Sequence, residues 1–289
     1  MPYQRRKIKV NDHEWSYIRL GKGSPLFLLH GILSYADFLL PLSKELSGEF
    51  EVIIPDLPGF GYTKRYRPNS YQNIAAGLNG FIRALGFEKI NIFGSSMGGI
   101  TALEFARGNR EMVSNLIVHA APWQKGDIKL TTSEKLLIHE FLYHAKMKDL
   151  KKFQELLSDS VLPVYGRLGT PDLRTLYKKY GPVIKESLEL LDPKGTVEVI
   201  KSMEETDLGK HLKDLNLKTL IIASEHDDRF EIINELELAE RVDANYFVIA
   251  KEESHVLPMS EPVKLGKIIS SFINNEKFPV KDLLWGKLI

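Results

Sequence analysis

Short apolar runs alternate along the chain with stretches whose apolar positions recur every three or four residues. The runs fall at 8–10, 16–20, 26–30, 52–55, 90–93, 116–119, 217–223 and 246–250. The first two mix polar and apolar positions, as an antiparallel edge hairpin does. Most of the later ones are continuously apolar, which suits strands covered on both faces of a parallel sheet. Helical spacing follows at 37–46, 71–85, 100–106, 232–242 and 263–273. Strand, helix, strand, helix predicts an α/β fold: a mostly parallel, eight-stranded sheet flanked by helices.

The alternation stops between about Pro122 and Leu215, where helical spacing dominates. Helices are expected at 133–148, 150–157, 172–180 and 182–191, punctuated by Pro163, Pro171, Pro182 and Pro193. Residues 122–215 are therefore expected to form a helical cap inserted into a core made of residues 1–121 and 216–289. The tail at 278–289, with Leu283, Leu284 and Trp285, is apolar enough to pack on the body or on a partner. A monomer and a homodimer are both open.

Composition narrows the function. The chain has 289 residues, 43% hydrophobic and 27% charged, with a net charge of +1. Those are the proportions of a soluble globular protein. Without a basic excess, nucleic-acid binding is not expected. The one dense basic cluster, Arg5-Arg6-Lys7, fits a solvated strand edge, where charge blocks edge pairing. There is no cysteine, which excludes disulfides, zinc–thiolate sites and a cysteine nucleophile. The first fifteen residues lack the apolar stretch of a signal peptide, and no run is long enough to span a bilayer. The protein is expected to be cytoplasmic.

The chemistry gathers around Gly94-Ser95-Ser96-Met97-Gly98, a Gly-x-Ser-x-Gly pattern after an apolar run and before a helix. A serine on a tight strand-to-helix turn projects its hydroxyl from the sheet's C-terminal edge, and the flanking glycines remove Cβ atoms that would clash. The pattern alone also fits a glycine-rich turn with an idle serine. A serine nucleophile needs a base, and the base needs an orienting carboxylate. Asp227 lies in the loop after the run at 217–223, and His255 in the loop after 246–250. Ser96, Asp227 and His255 thus meet at one sheet edge in the order Ser, Asp, His. A tetrahedral intermediate needs two aimed donors. These are expected to be the backbone N–H of Met97 and that of Ile32, with Leu33 as second choice. His30 is expected to brace the loop that carries Ile32.

The chain resembles the α/β-hydrolase superfamily over nearly its full length. The resemblance rests on His30-Gly31, Asp56-Leu57-Pro58-Gly59-Phe60-Gly61, Gly94 to Gly99, and His255 followed by Glu261-Pro262. It implies that Asp56, Pro58, Gly59 and Gly61 shape a loop beside the pocket. It matches the family's acid to Asp227, three residues past the strand-end Ser224, itself a position where relatives usually carry glycine, with Asp228 as a neighbouring carboxylate. It implies carboxylic-ester hydrolysis through an acyl-enzyme, acting on small to medium uncharged acyl substrates. Relatives similar to epoxide hydrolases and haloalkane dehalogenases carry Asp at the elbow, which argues against both. Carbon–carbon hydrolases often show Gly-Asn-Ser-Met-Gly-Gly; here Ser95 replaces the Asn. That activity remains an alternative, as does a receptor-like ligand-binding protein on the same scaffold.

His139-Glu140 with His144 is not a zinc motif, since five residues turn the second histidine off the first one's helix face. No phosphate loop or dinucleotide fingerprint occurs, and neither cofactor nor metal is expected. Phe141, Tyr143, Tyr165, Tyr177 and Tyr180 are candidates to roof an apolar pocket or to bury the cap on the core.

Overall fold

The computed structural model describes residues 3–127, 173–213, 215–227, 230–279 and 283–288. The helices expected at 133–148 and 150–157 lie outside the described residues, as do Phe141, Tyr143, Tyr165, the Tyr177 side chain, His139, Glu140, His144 and Asp228.

All eight expected strands form: β1 (Arg5–Val10), β2 (His13–Leu20), β3 (Ser24–Leu29), β4 (Phe50–Pro55), β5 (Ile90–Ser95), β6 (Val113–His119), β7 (Thr219–Ser224) and β8 (Tyr246–Ala250). A ninth, β9 (Leu283–Leu288), adds antiparallel to β8, so the apolar tail packs on the body as an edge strand. The order is β1-β2-β4-β3-β5-β6-β7-β8-β9. From β4 through β8 every pair is parallel, while β1 and β2 form the antiparallel edge.

Successive strand residues feed opposite faces, which is why both must be apolar. Phe27, Ile53, Ile92, Val118, Ile221 and Phe247 point into one core layer. Their neighbours Leu28, Ile54, Phe93, Ile117, Leu220 and Val248 point into the other. Helices α2 (Tyr71–Ala84) and α3 (Met97–Gly108) cover the first face with Ile74, Leu78, Phe81, Ile100 and Leu103. Helix α1 (Leu40–Leu46) covers the second with Leu42 and Leu46.

Among the described residues, two helices are inserted between β6 and β7: α4 (Leu173–Glu189) and α5 (Pro193–Glu204). Pro182 was expected to separate two helices, yet it sits inside α4. Proline removes one helical hydrogen bond, and fixed contacts on both sides outweigh that loss. The Tyr180 hydroxyl donates to Met259 O at 2.8 Å, and the Tyr35 hydroxyl donates to Glu186 at 2.7 Å. Tyr180 is buried with Ile184, Tyr35 and Phe38. Helix α5 starts where Asp192 caps the Gly195 amide at 2.8 Å with Pro193 in the first turn.

Helices α6 (Ile232–Arg241), α7 (Leu257–Ser260) and α8 (Pro262–Asn274) complete the body. Arg5 is not a solvated edge charge. Its guanidinium pairs with the buried Asp37 and Asp56 and lies over the rings of Tyr35 and Tyr62. Among the described residues no helix is long and apolar enough to cross a membrane.

Candidate active site

Ser96 sits alone between β5 and α3, at φ 56° and ψ −122°. A non-glycine residue there carries strain of about 1–3 kcal/mol, which the surroundings must hold. The Ser96 amide donates to His119 O at 2.9 Å, and Ser96 O accepts from the Gly99 and Ile100 amides. The glycines let the backbone close. A Cβ on Gly98 would lie 2.2 Å from Leu29 O and 2.8 Å from His30 O; one on Gly94 would lie 2.1 Å from Gly98 O. Main-chain atoms cannot step aside, so Gly98→Ala is expected to cost about 3 kcal/mol of stability. A urea-unfolding midpoint equal to wild type would contradict this close approach.

The loop after β3 faces the serine. A Cβ on Gly31 would meet Ser96 Cβ at 3.4 Å and Ser96 Oγ at 3.9 Å. Ile32 therefore follows a residue in contact with Ser96, and Met97 is the first residue of α3, whose amide has no partner within the helix. Leu33 adopts φ 57°. His30 braces this loop. Its Nε2 accepts from the Leu57 amide at 2.9 Å, so the ring's proton is on Nδ1, which donates to Gly31 O at 2.8 Å. Burial pushes His30 down to about 4, and the ring stays neutral. Asp56 holds the loop's far end by accepting from the Ala36 amide at 2.9 Å. The two loops carrying the family patterns are thus tied to each other.

Asp227 and His255 are directly joined: His255 Nδ1 lies 2.9 Å from Asp227 Oδ2. The other oxygen, Oδ1, accepts from the Phe230 amide at 3.1 Å. With Nδ1 paired to a carboxylate, Nε2 carries the lone pair that a general base needs. Phe230 also stacks on the His255 ring, with centroids 5.4 Å apart. Among the described residues no hydrogen bond joins Ser96 Oγ to His255; such bonds are often long before substrate binds. No group of three or more metal-ligating side chains is found among the described residues either.

Two buried polar groups in this region escaped the sequence analysis. His119, at the end of β6, lies with its ring 6.3 Å from that of His255. Its only signal is a histidine closing an apolar run at the sheet's C-terminal edge. Glu235, on α6, is fully buried, and neither carboxyl oxygen has a donor in good hydrogen-bonding geometry among the described residues. Burial, then the charges of Asp227 and Asp127, raise it well above its ordinary value, with the Ala121 amide opposing.

A glutamate in the unfolded chain ionises near 4.5, and the folded one only well above that. Within this window the folded state holds the extra proton, so stability falls as pH rises through it. Glu235→Gln is expected to remove that fall. Unfolding midpoints from about pH 5 to about pH 8 should then trace a flatter line than wild type, and an identical slope would refute the assignment.

This architecture defines a class, and the comparisons agree with it. A family model described as alpha/beta hydrolase fold matches residues 24–267, and the chain belongs to that family. It is 30% identical over 110 residues to the soluble epoxide hydrolase of Corynebacterium sp. (strain C12), covering 38% of each chain. It is 32% identical over 120 residues to the 2-hydroxy-6-oxo-2,4-heptadienoate hydrolase of Pseudomonas putida, covering 39% of this chain and 41% of that one. Both matches thus span about two fifths of the relative's length. A thermophilic esterase from Thermogutta terrifontis superposes with a TM-score of 0.75 at 23% identity, over 94% of this chain and 98% of that one. At that identity the likeness is one of fold.

Proposed function

We propose that this α/β hydrolase cleaves small to medium, uncharged carboxylic esters through an acyl-enzyme on Ser96. The observation that carries the reading is a serine in the strained turn after β5, with a bonded Asp227–His255 pair in the loops after β7 and β8 at the same edge of the parallel sheet. An aspartate there would suit epoxide or halide chemistry; a serine needs a base, and the pairing of His255 Nδ1 with Asp227 supports His255 in that role.

In this reading His255 Nε2 takes the Ser96 proton as Oγ attacks the carbonyl carbon. The Met97 and Ile32 amides receive the oxyanion. Asp227 holds the tautomer and stabilises the imidazolium, which then protonates the leaving alcohol. Water, activated by the same ring, releases the acid and restores Ser96. Residues 122–215 act as a cap that limits which acyl groups reach Ser96.

Stopped-flow hydrolysis of short and medium p-nitrophenyl esters tests this. A burst followed by steady turnover is the expected result. A folded wild-type protein that turns over none of them would remove the ester reading. The second reading is hydrolysis of a carbon–carbon bond, favoured by the dienoate hydrolase among the relatives. Turnover of a vinylogous diketone without ester turnover would select it.

A further inference from the structure

The His119 side chain has no part in the mechanism above, yet it touches both segments that supply it. Its Nδ1 lies 2.9 Å from Ser95 Oγ, and Ser95 immediately precedes the nucleophile. Its Nε2 lies 3.0 Å from Ser224 Oγ, at the end of β7. The Asp227 amide in turn donates to Ser224 O at 3.3 Å. The carbonyl of His119 itself accepts the Ser96 amide. Ser95, His119 and Ser224 are all buried.

We propose that His119 is a positioning residue for the reaction: the Ser95–His119–Ser224 chain sets the spacing between the nucleophile turn and the loop that carries the acid. The inference rests on the ester-hydrolase reading of Ser96. A chain meant only to satisfy buried groups has no reason to end on these two segments. Both ring nitrogens are used, and a neutral imidazole has one donor and one acceptor, so the chain runs in a single direction across the three strand ends. Neutrality also suits turnover. Burial, followed by repulsion from the His255 charge, holds His119 down to about 3, so it adds no second cation beside the imidazolium. Displacements on the order of 1 Å at a reacting centre cost about a hundredfold in rate.

His119→Phe alone strands two buried hydroxyls and risks the fold. The decisive variant is Ser95→Ala/His119→Phe/Ser224→Ala, which removes every polar group of the chain together. It is expected to unfold near the wild-type midpoint and still to be labelled at Ser96 by a fluorophosphonate. Its kcat on p-nitrophenyl esters should fall by about tenfold to hundredfold, with KM within about threefold. The downfield NMR resonance of the His255 Nδ1 proton should shift or broaden. Wild-type kcat together with an unmoved resonance would overturn the proposal. Absence of ester turnover in the wild type would count against the ester reading alone. The resonance needs no substrate, and in that case it decides the positioning role by itself.

Discussion

Ser96→Ala is expected to lower kcat for p-nitrophenyl esters by about 10⁴- to 10⁶-fold and to abolish the burst. The substitution removes one atom, Oγ, which adjoins Gly31 and makes no hydrogen bond among the described residues. Alanine has a Cβ as serine does, so the strain at φ 56° is unchanged. The backbone bonds to His119 O, Gly99 N and Ile100 N do not depend on the side chain. Stability should therefore move by no more than about 0.5 kcal/mol. A residual rate above water is expected, because the loop after β3 and the start of α3 keep their amides. Mass spectrometry after rapid mixing should find acyl adduct on wild type only. A burst surviving in the variant would place the nucleophile elsewhere.

Much of this site was legible in the sequence because its demands are local. The turn at Ser96 needs glycine at 94 and 98 for contacts within a few residues and with one neighbouring strand end. Strands β3 and β5 to β8 announce themselves because helices cover both faces, leaving no polar alternation to confuse with a loop. His119 was hidden for the opposite reason. Its partners lie 24 and 105 residues away, and nothing near it distinguishes a bonded histidine from one that merely ends a strand. Glu235 reads as one more charge on an amphipathic helix until the fold buries it. Pro182 misled because helix breaking is a local tendency, while Tyr180 and Glu186 anchor α4 through residues of distant segments. Strand β9 gains its partner from β8, which no spacing within the tail reveals. Helix α5 did carry a signal, an Asp192-Pro193 start before apolar residues at 197, 199, 200 and 203, but proline read as punctuation concealed it.

Asp227→Asn is expected to cost about 10⁴-fold in kcat with little change in KM. The reason lies in how the carboxylate's two oxygens are used. Oδ1 accepts from the Phe230 amide and Oδ2 faces His255 Nδ1. An asparagine has one oxygen, and the Phe230 N–H claims it, since an amide NH₂ turned toward that donor would oppose it. The NH₂ group is then forced against His255 Nδ1, which must present a lone pair. The ring's proton moves to Nε2, the atom that has to take the proton of Ser96. The variant would thus keep its shape and bind ester normally while holding its base in the wrong tautomer. Asp228→Asn is the matched control and should retain most of the activity. Were Asp228→Asn the crippled variant and Asp227→Asn the active one, the orienting carboxylate would be Asp228.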